Sequence, residues 1–361
     1  MADKKLRIGL MGAWESHMYV FADYILLDGK VNLHSIRHWQ RASYSDCEIV
    51  SAWDSDVERG KKLAEYCKCK FVEDVNEFVN DPEVDAVIVC SATADHGKHI
   101  VLCANAGKHV FVEKAPFVTL EDAYLAREAI KRNGVHFMVS SPMDKPRNNY
   151  IMNMVKEGLL GDLTEIRFRL YSSDAHKLTE PTGLYSKEEH GGGAMYSYGQ
   201  HGIHMAEWFL GKPTSCYAQF GYVTEFAKKY QTEDNAVAIF KHENGAISVV
   251  ETGWCAPSHE CIFDVCGTKG MVHLVGDAKV FHEDGSVSTH DFLSYRLNGK
   301  DWVNVPESDF PETVFFPLRY WIQSVINDTP DDRFNIDEAV LWTEMLTAAY
   351  RSAEQGAVPI L

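Results

Sequence analysis

Residues 84–116 read VDAVIVCSATADHGKHIVLCANAGKHVFVEKAP, and this stretch decides the fold. It opens on a mostly apolar run typical of a buried strand. Residues 96–106 then form a helical pattern that Gly107 ends, and residues 109–112 are a second apolar run. Apolar strands that are separated by a helix are typical of a parallel sheet covered on both faces.

The same alternation continues on both sides of this stretch. Apolar runs at 6–12, 47–53 and 135–139 are predicted strands, and helical patterns lie between them. Because crossovers between parallel strands are right-handed, these elements predict a doubly wound, Rossmann-type α/β domain, which we place at residues 1–140.

Residues 141–361 have a different sequence pattern, which predicts several short strands with alternating apolar and polar residues and a hairpin turn at 242–245. We predict a C-terminal α+β domain with a large, mostly antiparallel sheet that serves substrate binding and oligomerisation. A further hypothesis is that the last helix, at 336–355, packs back on the first domain. Helices cover one face of the sheet, so the other face should pair with a second copy in a homo-oligomer: a dimer, tetramer or larger assembly.

The overall composition excludes some classes of partner. The chain has 361 residues and a formal net charge of −17, which argues against nucleic acid and anionic membranes as partners. The sequence contains no recognisable signal peptide and no apolar run of about 20 residues, so we expect a cytoplasmic protein. The nine cysteines are irregularly spaced, which favours reduced thiols.

A candidate cofactor turn follows the first strand. A dinucleotide-binding turn usually carries three glycines, and only the first is kept here, at Gly12. Trp14 and His17 stand where the other two are expected. The residues predicted to meet the cofactor at this turn are Gly12, Ala13, Trp14, Glu15, Ser16 and His17.

Asp54 ends the second predicted strand and is the candidate for cofactor selection. A carboxylate there accepts hydrogen bonds from a ribose diol and repels a 2′-phosphate, which favours NAD over NADP. It lies 42 residues after Gly12, whereas the usual spacing is roughly 20. We interpret residues 30–46 as an inserted loop near the cofactor's edge. The alternative is that Asp54 is simply a turn aspartate.

Several segments together carry a family resemblance. The run 84–116 resembles the glucose-fructose oxidoreductase and inositol dehydrogenase family, also called Gfo/Idh/MocA, in its histidine-closed loop and in Glu113-Lys114, which the family follows with proline. Four later segments are similar to the family in the same order: 157–161, 191–194, 234–237 and 266–270.

The resemblance implies a chemistry as well as a fold. Family members transfer hydride between a nicotinamide and a carbon of a sugar, cyclitol or related polyol, and the family lysine, here Lys114, contacts the reacting hydroxyl. The loop after the third predicted strand and the end of the fourth would meet the cofactor through Ser91, Ala92, Thr93, His96, Glu113 and Lys114.

The resemblance also places a histidine opposite the lysine, here His201. A neutral histidine is a suitable base for the hydroxyl proton, and a lysine ammonium beside it can polarise the oxygen or transfer the proton itself. The family's aspartate is replaced by Ser197, and a further aspartate by His204, which we expect to support His201. Because Glu207 shares the helical face of the two histidines, and His190 could join them, a metal site is an alternative; we expect none.

The remaining predictions concern the substrate. Its pocket is expected to include Lys114, Lys145, Tyr185, His190, Tyr196, Ser197 and His201. Aromatic side chains suggest a substrate larger than a bare monosaccharide, such as a glycoside. The main hypothesis is an NAD-dependent dehydrogenase of a ring hydroxyl. A redox-neutral, NAD-retaining enzyme that cleaves glycosides and a non-catalytic binding protein on the same fold are the alternatives.

Overall fold

The computed structural model describes residues 5–30, 42–141, 145–180, 183–282, 286–311, 317–356 and 358–360. Residues 31–41, which make up most of the predicted insertion, lie outside the described residues.

The N-terminal part of the chain forms a six-stranded sheet in the order β3-β2-β1-β4-β5-β6, and every neighbouring pair is parallel. The doubly wound α/β prediction is confirmed, although the sequence analysis missed β3 and α3. The elements are β1 (Leu6–Met11), α1 (His17–Leu26), β2 (Cys47–Trp53), α2 (Val57–Cys67), β3 (Lys70–Phe71), α3 (Val75–Asn80), β4 (Ala86–Val89), α4 (His96–Asn105), β5 (His109–Val112), α5 (Leu120–Asn133) and β6 (Phe137–Val139).

Burial explains why the central strands are apolar throughout. All four residues of β4 are fully buried, since helices cover both faces of the sheet and neighbouring strands cover both edges of β4. The helix α4 ends before Gly107, whose φ of 72° suits a residue without a side chain. The strand–helix–strand unit therefore forms as its sequence predicts.

The second sheet has nine strands in the order β14-β13-β12-β11-β7-β10-β9-β8-β15, and only the β7–β10 pair is parallel. The prediction of a large, mostly antiparallel sheet is confirmed. Its elements are α6 (Pro146–Lys156), β7 (Leu163–Tyr171), α7 (Lys187–His190), α8 (Gln200–Leu210), β8 (Pro213–Gly221), α9 (Glu225–Tyr230), β9 (Asn235–His242), β10 (Ile247–Gly253), β11 (Glu260–Gly267), β12 (Gly270–Phe281), β13 (Val287–Leu297), β14 (Val303–Val305), α10 (Pro317–Ile326), α11 (Ile336–Gln355) and β15 (Val358–Pro359).

Helix α8 covers one face of the second sheet. A Cβ on Gly202 of α8 would lie only 2.6 Å from Val250 and 2.8 Å from Phe168, so the helix backbone lies directly on β10 and β7. The other face exposes apolar side chains, including Phe292 and Tyr217. Homo-oligomerisation through this open face stays a prediction.

Helix α11 contacts elements of the first sheet. The Tyr124 hydroxyl of α5 donates to Glu344 at 3.1 Å, and Lys131 of α5 pairs with Asp337 at 2.7 Å. The domain boundary at residues 140–141 stays a prediction. Among the described residues, no helix combines the length and the apolar character needed to span a bilayer.

The parallel sheet brings the predicted site residues to one edge. The carboxyl ends of parallel strands meet at the same edge, so Gly12 after β1, Asp54 after β2, Ser91 after β4 and Glu113 after β5 lie along it.

Candidate active site

Gly12 is required by the backbone at the end of β1. Its φ is 85°, and a Cβ there would lie 2.7 Å from the Cα of Ser91. Its N–H donates to the carbonyl of Trp53 at 2.7 Å. The turn therefore packs against the ends of β2 and β4, which leaves room only for glycine.

Trp14 contacts α7 from the cofactor turn. Its indole Nε1 donates to Glu189 Oε2 at 3.0 Å, and its ring lies 6.0 Å from that of His190. The side chain thus joins the turn after β1 to a segment that precedes α8. The two residues are 175 positions apart, so no local sequence pattern predicts this contact.

The Asp54 carboxylate is buried, and each of its oxygens accepts two hydrogen bonds. It accepts from the backbone N–H of Ala13 at 2.7 Å and of Asp56 at 2.8 Å. Arg59 of α2 donates Nε to Oδ2 at 2.8 Å and Nη2 to Oδ1 at 2.7 Å. Asp54 therefore fixes the cofactor turn. Arg59, which the sequence analysis missed, could have been noticed as a cation in the first turns of the helix that follows Asp54.

Hydrogen bonds to buried histidine side chains hold the loop after β4. His96 lies between two carbonyl oxygens, with Nδ1 3.0 Å from Ala115 and Nε2 3.0 Å from Ser91. Burial lowers the pKa of His96. Thr93 Oγ1 lies 2.9 Å from Nδ1 of His190. His96 thereby ties the loop after β4 to the residue that follows Lys114.

Lys114 lies two residues beyond the end of β5, beside a buried carboxylate. Its Nζ lies 3.6 Å from Glu113 Oε1, and its side chain is 10% exposed. The same Glu113 oxygen lies 2.9 Å from Nδ1 of His17. Burial alone would raise the pKa of Glu113, but the charges of His17 and Lys114 and the His17 hydrogen bond outweigh it, so the pKa is lowered. The Lys114–Ala115 peptide bond is cis.

Glu15 and Ser16, which also belong to the cofactor turn, are hydrogen-bonded to each other. Ser16 donates its hydroxyl to Glu15 Oε1 at 2.9 Å. Glu15 is buried, and its Oε2 has no hydrogen-bond partner among the described residues.

His201 lies in α8 within a cluster of cationic side chains. Burial and then the positive charge of Lys114 hold its pKa well below the ordinary value, and the neighbouring His204 acts in the same direction. Lys145 and His17 act in the same direction. Its Nδ1 is buried without a hydrogen-bond partner among the described residues. The structure therefore brings His201 near Lys114 and keeps its imidazole neutral.

His204 packs behind His201. Its ring stacks on Trp342 with centroids 3.6 Å apart, and its Nδ1 lies 3.1 Å from Ser141 Oγ. Burial and then the charge of Lys114 lower its pKa to about 3. Burial raises the pKa of the Glu207 carboxyl group, which lies near Trp342. In the described parts of the chain, no three metal-ligating side chains group closely enough to hold an ion.

Ser197 lies in a π-helical turn, Met195–Gly199, just before α8. Its Oγ accepts from Trp254 Nε1 at 3.1 Å. The next residue, Tyr198, donates its hydroxyl to Asp174 at 2.7 Å. Asp174 thus supplies a carboxylate to Tyr198, the residue that follows Ser197. The sequence analysis missed it, although its position three residues after the β7 strand is a usable signal.

Tyr185 lies against the same group. Its ring is 5.1 Å from that of Trp254, edge to face. Burial, followed by the negative charges of Asp174 and Glu15, raises the pKa of Tyr185 to about 12, so its hydroxyl stays protonated. Tyr185, Tyr198 and Trp254 form an aromatic wall around Asp174.

The other residues predicted to bind substrate are paired with protein groups or buried. Lys145 Nζ donates to Asp277 at 3.0 Å. His190 is fully buried. The structure does not bring Tyr196 to a substrate, because its ring is 3% exposed and its hydroxyl donates to the carbonyl of Phe117.

The glycine-rich segment at 191–194 supports the turn that carries Ser197. Glu233 Oε1 accepts from the N–H of Gly193 at 2.9 Å and of Met195 at 3.1 Å. A Cβ on Gly193 would lie 2.1 Å from the Glu233 carbonyl oxygen. Close backbone approach therefore explains this glycine.

Two family models match the chain. One describes an oxidoreductase family with an NAD-binding Rossmann fold and matches residues 28–141. The other describes the GFO/IDH/MocA C-terminal domain and matches residues 149–273. Together they cover about two thirds of the chain. The first match begins after the divergent turn at Gly12.

Curated relatives are similar to most of the chain. The scyllo-inositol 2-dehydrogenase (NAD(+)) of Bacillus subtilis (strain 168) is 28% identical over 291 residues, which is 80% of each chain. The myo-inositol 2-dehydrogenase of Thermotoga maritima is 28% identical over 207 residues, which is 56% of this chain and 60% of that protein.

Solved structures confirm the fold over nearly the whole length. An NAD-binding oxidoreductase from Klebsiella pneumoniae has a TM-score of 0.77 at 19% identity and covers 99% of both chains. A levoglucosan dehydrogenase in complex with NADH and levoglucosan has a TM-score of 0.79 at 16% identity, with 99% of this chain and 100% of that chain covered.

Proposed function

The chain belongs to the GFO/IDH/MocA family of oxidoreductases with an NAD-binding Rossmann fold, and from that premise we propose that it oxidises a ring hydroxyl of a sugar, glycoside or cyclitol. The observation that carries the proposal is that Lys114, at the carboxyl edge of the parallel sheet, is near enough to the buried His201 of α8 for its charge, together with burial, to hold the pKa of that histidine well below its usual range.

The residues at this edge fit a dinucleotide. Gly12 has the left-handed backbone and the close approach to Ser91 that a phosphate-binding turn requires. The turn leads into the N-terminus of α1, where a helix favours negative charge. Asp54 is the acceptor proposed for the ribose diol, which would have to displace Arg59 because both carboxylate oxygens already accept two hydrogen bonds each. When bound, NAD would supply the acceptor for the hydride that leaves the carbon bearing the hydroxyl.

Lys114 and His201 have complementary roles in the proposal. The Lys114 ammonium donates to the reacting oxygen and stabilises the negative charge that develops as the O–H bond breaks. The hydroxyl proton passes to an imidazole nitrogen of His201, which is free to accept it because the low pKa keeps the ring neutral. The cations around His201 oppose its protonation, so the second route is proton transfer to Lys114, which requires the uncharged amine form of that lysine.

The substrate class is proposed from two observations. The curated relatives are named for scyllo-inositol and myo-inositol, both polyhydroxylated rings. In this chain, the partly exposed rings of Tyr185 and Tyr198 provide flat apolar surfaces beside Asp174, a hydrogen-bond acceptor, and the fully buried Trp254 supports Tyr185. Such a wall suits a polyol ring that has an apolar face or carries an aromatic substituent.

The test is a Lys114→Ala variant. We expect calorimetry to show NAD binding near that of the wild type, with NADH formation in the presence of substrate reduced by a factor of 100 or more. The matched control is Lys131→Ala, which removes a lysine that is 57% exposed and paired with Asp337. Activity of Lys114→Ala at the control's level would contradict the assignment.

The substrate is identified by incubating the wild type and NAD with sugars, cyclitols and glycosides, including scyllo-inositol and myo-inositol, while NADH absorbance is followed. A dehydrogenase accumulates NADH. Consumption of a glycoside without net NADH would contradict the proposal and indicate the redox-neutral cleavage. Failure to bind any nicotinamide would indicate a binding protein instead.

A further inference from the structure

His17 contacts the buried carboxylate beside the catalytic lysine. It is the first residue of α1 and stands where a dinucleotide-binding turn usually has its third glycine. Its Nδ1 lies 2.9 Å from Glu113 Oε1, although the two residues are 96 positions apart in the chain. The His17 side chain is 43% exposed and that of Glu113 is 2% exposed. His17 therefore connects solvent with a carboxylate deep in the site.

One oxygen of Glu113 serves two cations. Oε1 lies 2.9 Å from His17 Nδ1 and 3.6 Å from Lys114 Nζ, whereas Oε2 is buried and has no hydrogen-bond partner among the described residues. Two positive groups that share one carboxylate oxygen repel each other and compete for it. The 3.6 Å separation of Lys114 from Glu113 exceeds the length of a good charge-assisted hydrogen bond, while the His17 contact has that length.

We propose that His17 is a positioning residue that, through Glu113, controls how firmly the Lys114 ammonium is held and hence how readily Lys114 serves the substrate hydroxyl. The inference rests on the proposed function, in which Lys114 contacts that hydroxyl. Charged His17 occupies the shared oxygen and leaves Lys114 loosely held. When His17 is neutral, Lys114 is the only one of these two side chains that carries a positive charge, so Glu113 attracts it more strongly.

The charged groups around His17 determine the pH at which it loses its proton. Glu113 and Lys114 face it from the end of β5, Glu15 from the turn before α1, and His201 from α8. The negative charge of Glu113 is the largest influence and raises the pKa of His17, although burial and Lys114 oppose the rise. His17 is thus charged over a wider range of pH than a free histidine.

The reactivity of Lys114 towards acetic anhydride tests the inference without substrate or cofactor. Only an uncharged amine reacts, so a lysine that Glu113 holds more firmly is acetylated more slowly. Peptide mass spectrometry gives the Lys114 rate, with exposed Lys131 as the internal reference. For His17→Gln, we expect the rate relative to wild type to be lower by about tenfold near pH 6, the factor that corresponds to one unit of pKa, and to reach the wild-type rate near pH 9.5.

A fixed charge gives the opposite pattern. For His17→Lys, we expect a rate close to that of the wild type near pH 6 and about tenfold higher near pH 9.5, because the wild type loses its charge there and the variant does not. Adding Glu113→Gln to either variant should remove the dependence on residue 17. The His17→Lys variant keeps the test decisive if His17→Gln does not fold.

The matched control is His273→Gln. His273 is 45% exposed and its Nδ1 lies 2.6 Å from Asp264, so the substitution removes a similar histidine–carboxylate pair far from Lys114. We expect its Lys114 rates to match those of the wild type at every pH. If the His17 variants lower or raise the rate by the same factor at both pH values, or leave it unchanged, the inference is wrong. Full activity of Lys114→Ala would instead contradict the proposed function.

Discussion

Arg59 holds both carboxylate oxygens of Asp54, with Nε 2.8 Å from Oδ2 and Nη2 2.7 Å from Oδ1. Asp54 is 2% exposed and also accepts the N–H of Ala13 in the cofactor turn. The pair therefore links α2 to the turn after β1. It also means that Asp54 is a structural group as well as the candidate ribose ligand.

We expect Arg59→Ala to lower the free energy of unfolding by about 2 kcal/mol, because a buried carboxylate loses two charge-assisted hydrogen bonds. Urea unfolding measures the change. The control is Lys61→Ala in the same helix, whose ammonium lies 3.2 Å from the exposed carboxylate of Glu58. That variant should change stability by less than about 0.5 kcal/mol. Equal losses in the two variants would contradict the role given to Arg59.

Gly12→Ala tests the close approach of the cofactor turn to Ser91. The added Cβ would lie 2.7 Å from the Ser91 Cα, at a φ of 85°. We expect a loss of about 3 kcal/mol or more in unfolding free energy, together with weaker NAD binding by calorimetry, since the backbone must shift.

The matched control for the glycine variant is Gly107→Ala. Gly107 also has a positive φ, of 72°, but a Cβ there would meet nothing within 4 Å. Its replacement should cost about 1 kcal/mol from backbone strain alone and leave NAD binding intact. The difference between the two variants isolates the steric contact, and a difference near zero would show that the contact is unimportant.

Glu338 should make stability depend on pH. Burial and then the negative charge of Glu207 raise its pKa from 4.5 to about 7. Between these two values the folded protein binds a proton at Glu338 that the unfolded chain does not. The free energy of unfolding therefore falls as pH rises from about 4.5 to 7, by at most about 3 kcal/mol.

Glu338→Gln removes this contribution while keeping an acceptor for the Asn335 N–H, which Glu338 accepts at 3.1 Å. Urea unfolding at pH 5 and pH 7.5 should show a smaller fall in stability for the variant than for the wild type. Asp337→Asn removes one exposed carboxylate at the neighbouring position and should follow the wild type. A parallel change in both variants would show that Glu338 is not the titrating group.

The sequence predicted most of the main elements, although not β13, because their signals are local. The apolar strands, the glycine that ends α4 and the hairpin at 242–245 each depend on neighbouring residues and appear as expected. The short elements β3 and α3 were missed, since two- and six-residue segments carry little periodicity.

By itself, the sequence determined the doubly wound sheet, the antiparallel second sheet and the position of Lys114 at a strand end, because backbone preference and burial pattern follow from local residue order. Only the tertiary structure decided which side chains act together. His17 with Glu113, Arg59 with Asp54, and Trp254 with Ser197 are brought together by the packing of separate elements. Hydrogen bonds and charges act over a few ångströms in space, whatever the separation of the residues along the chain.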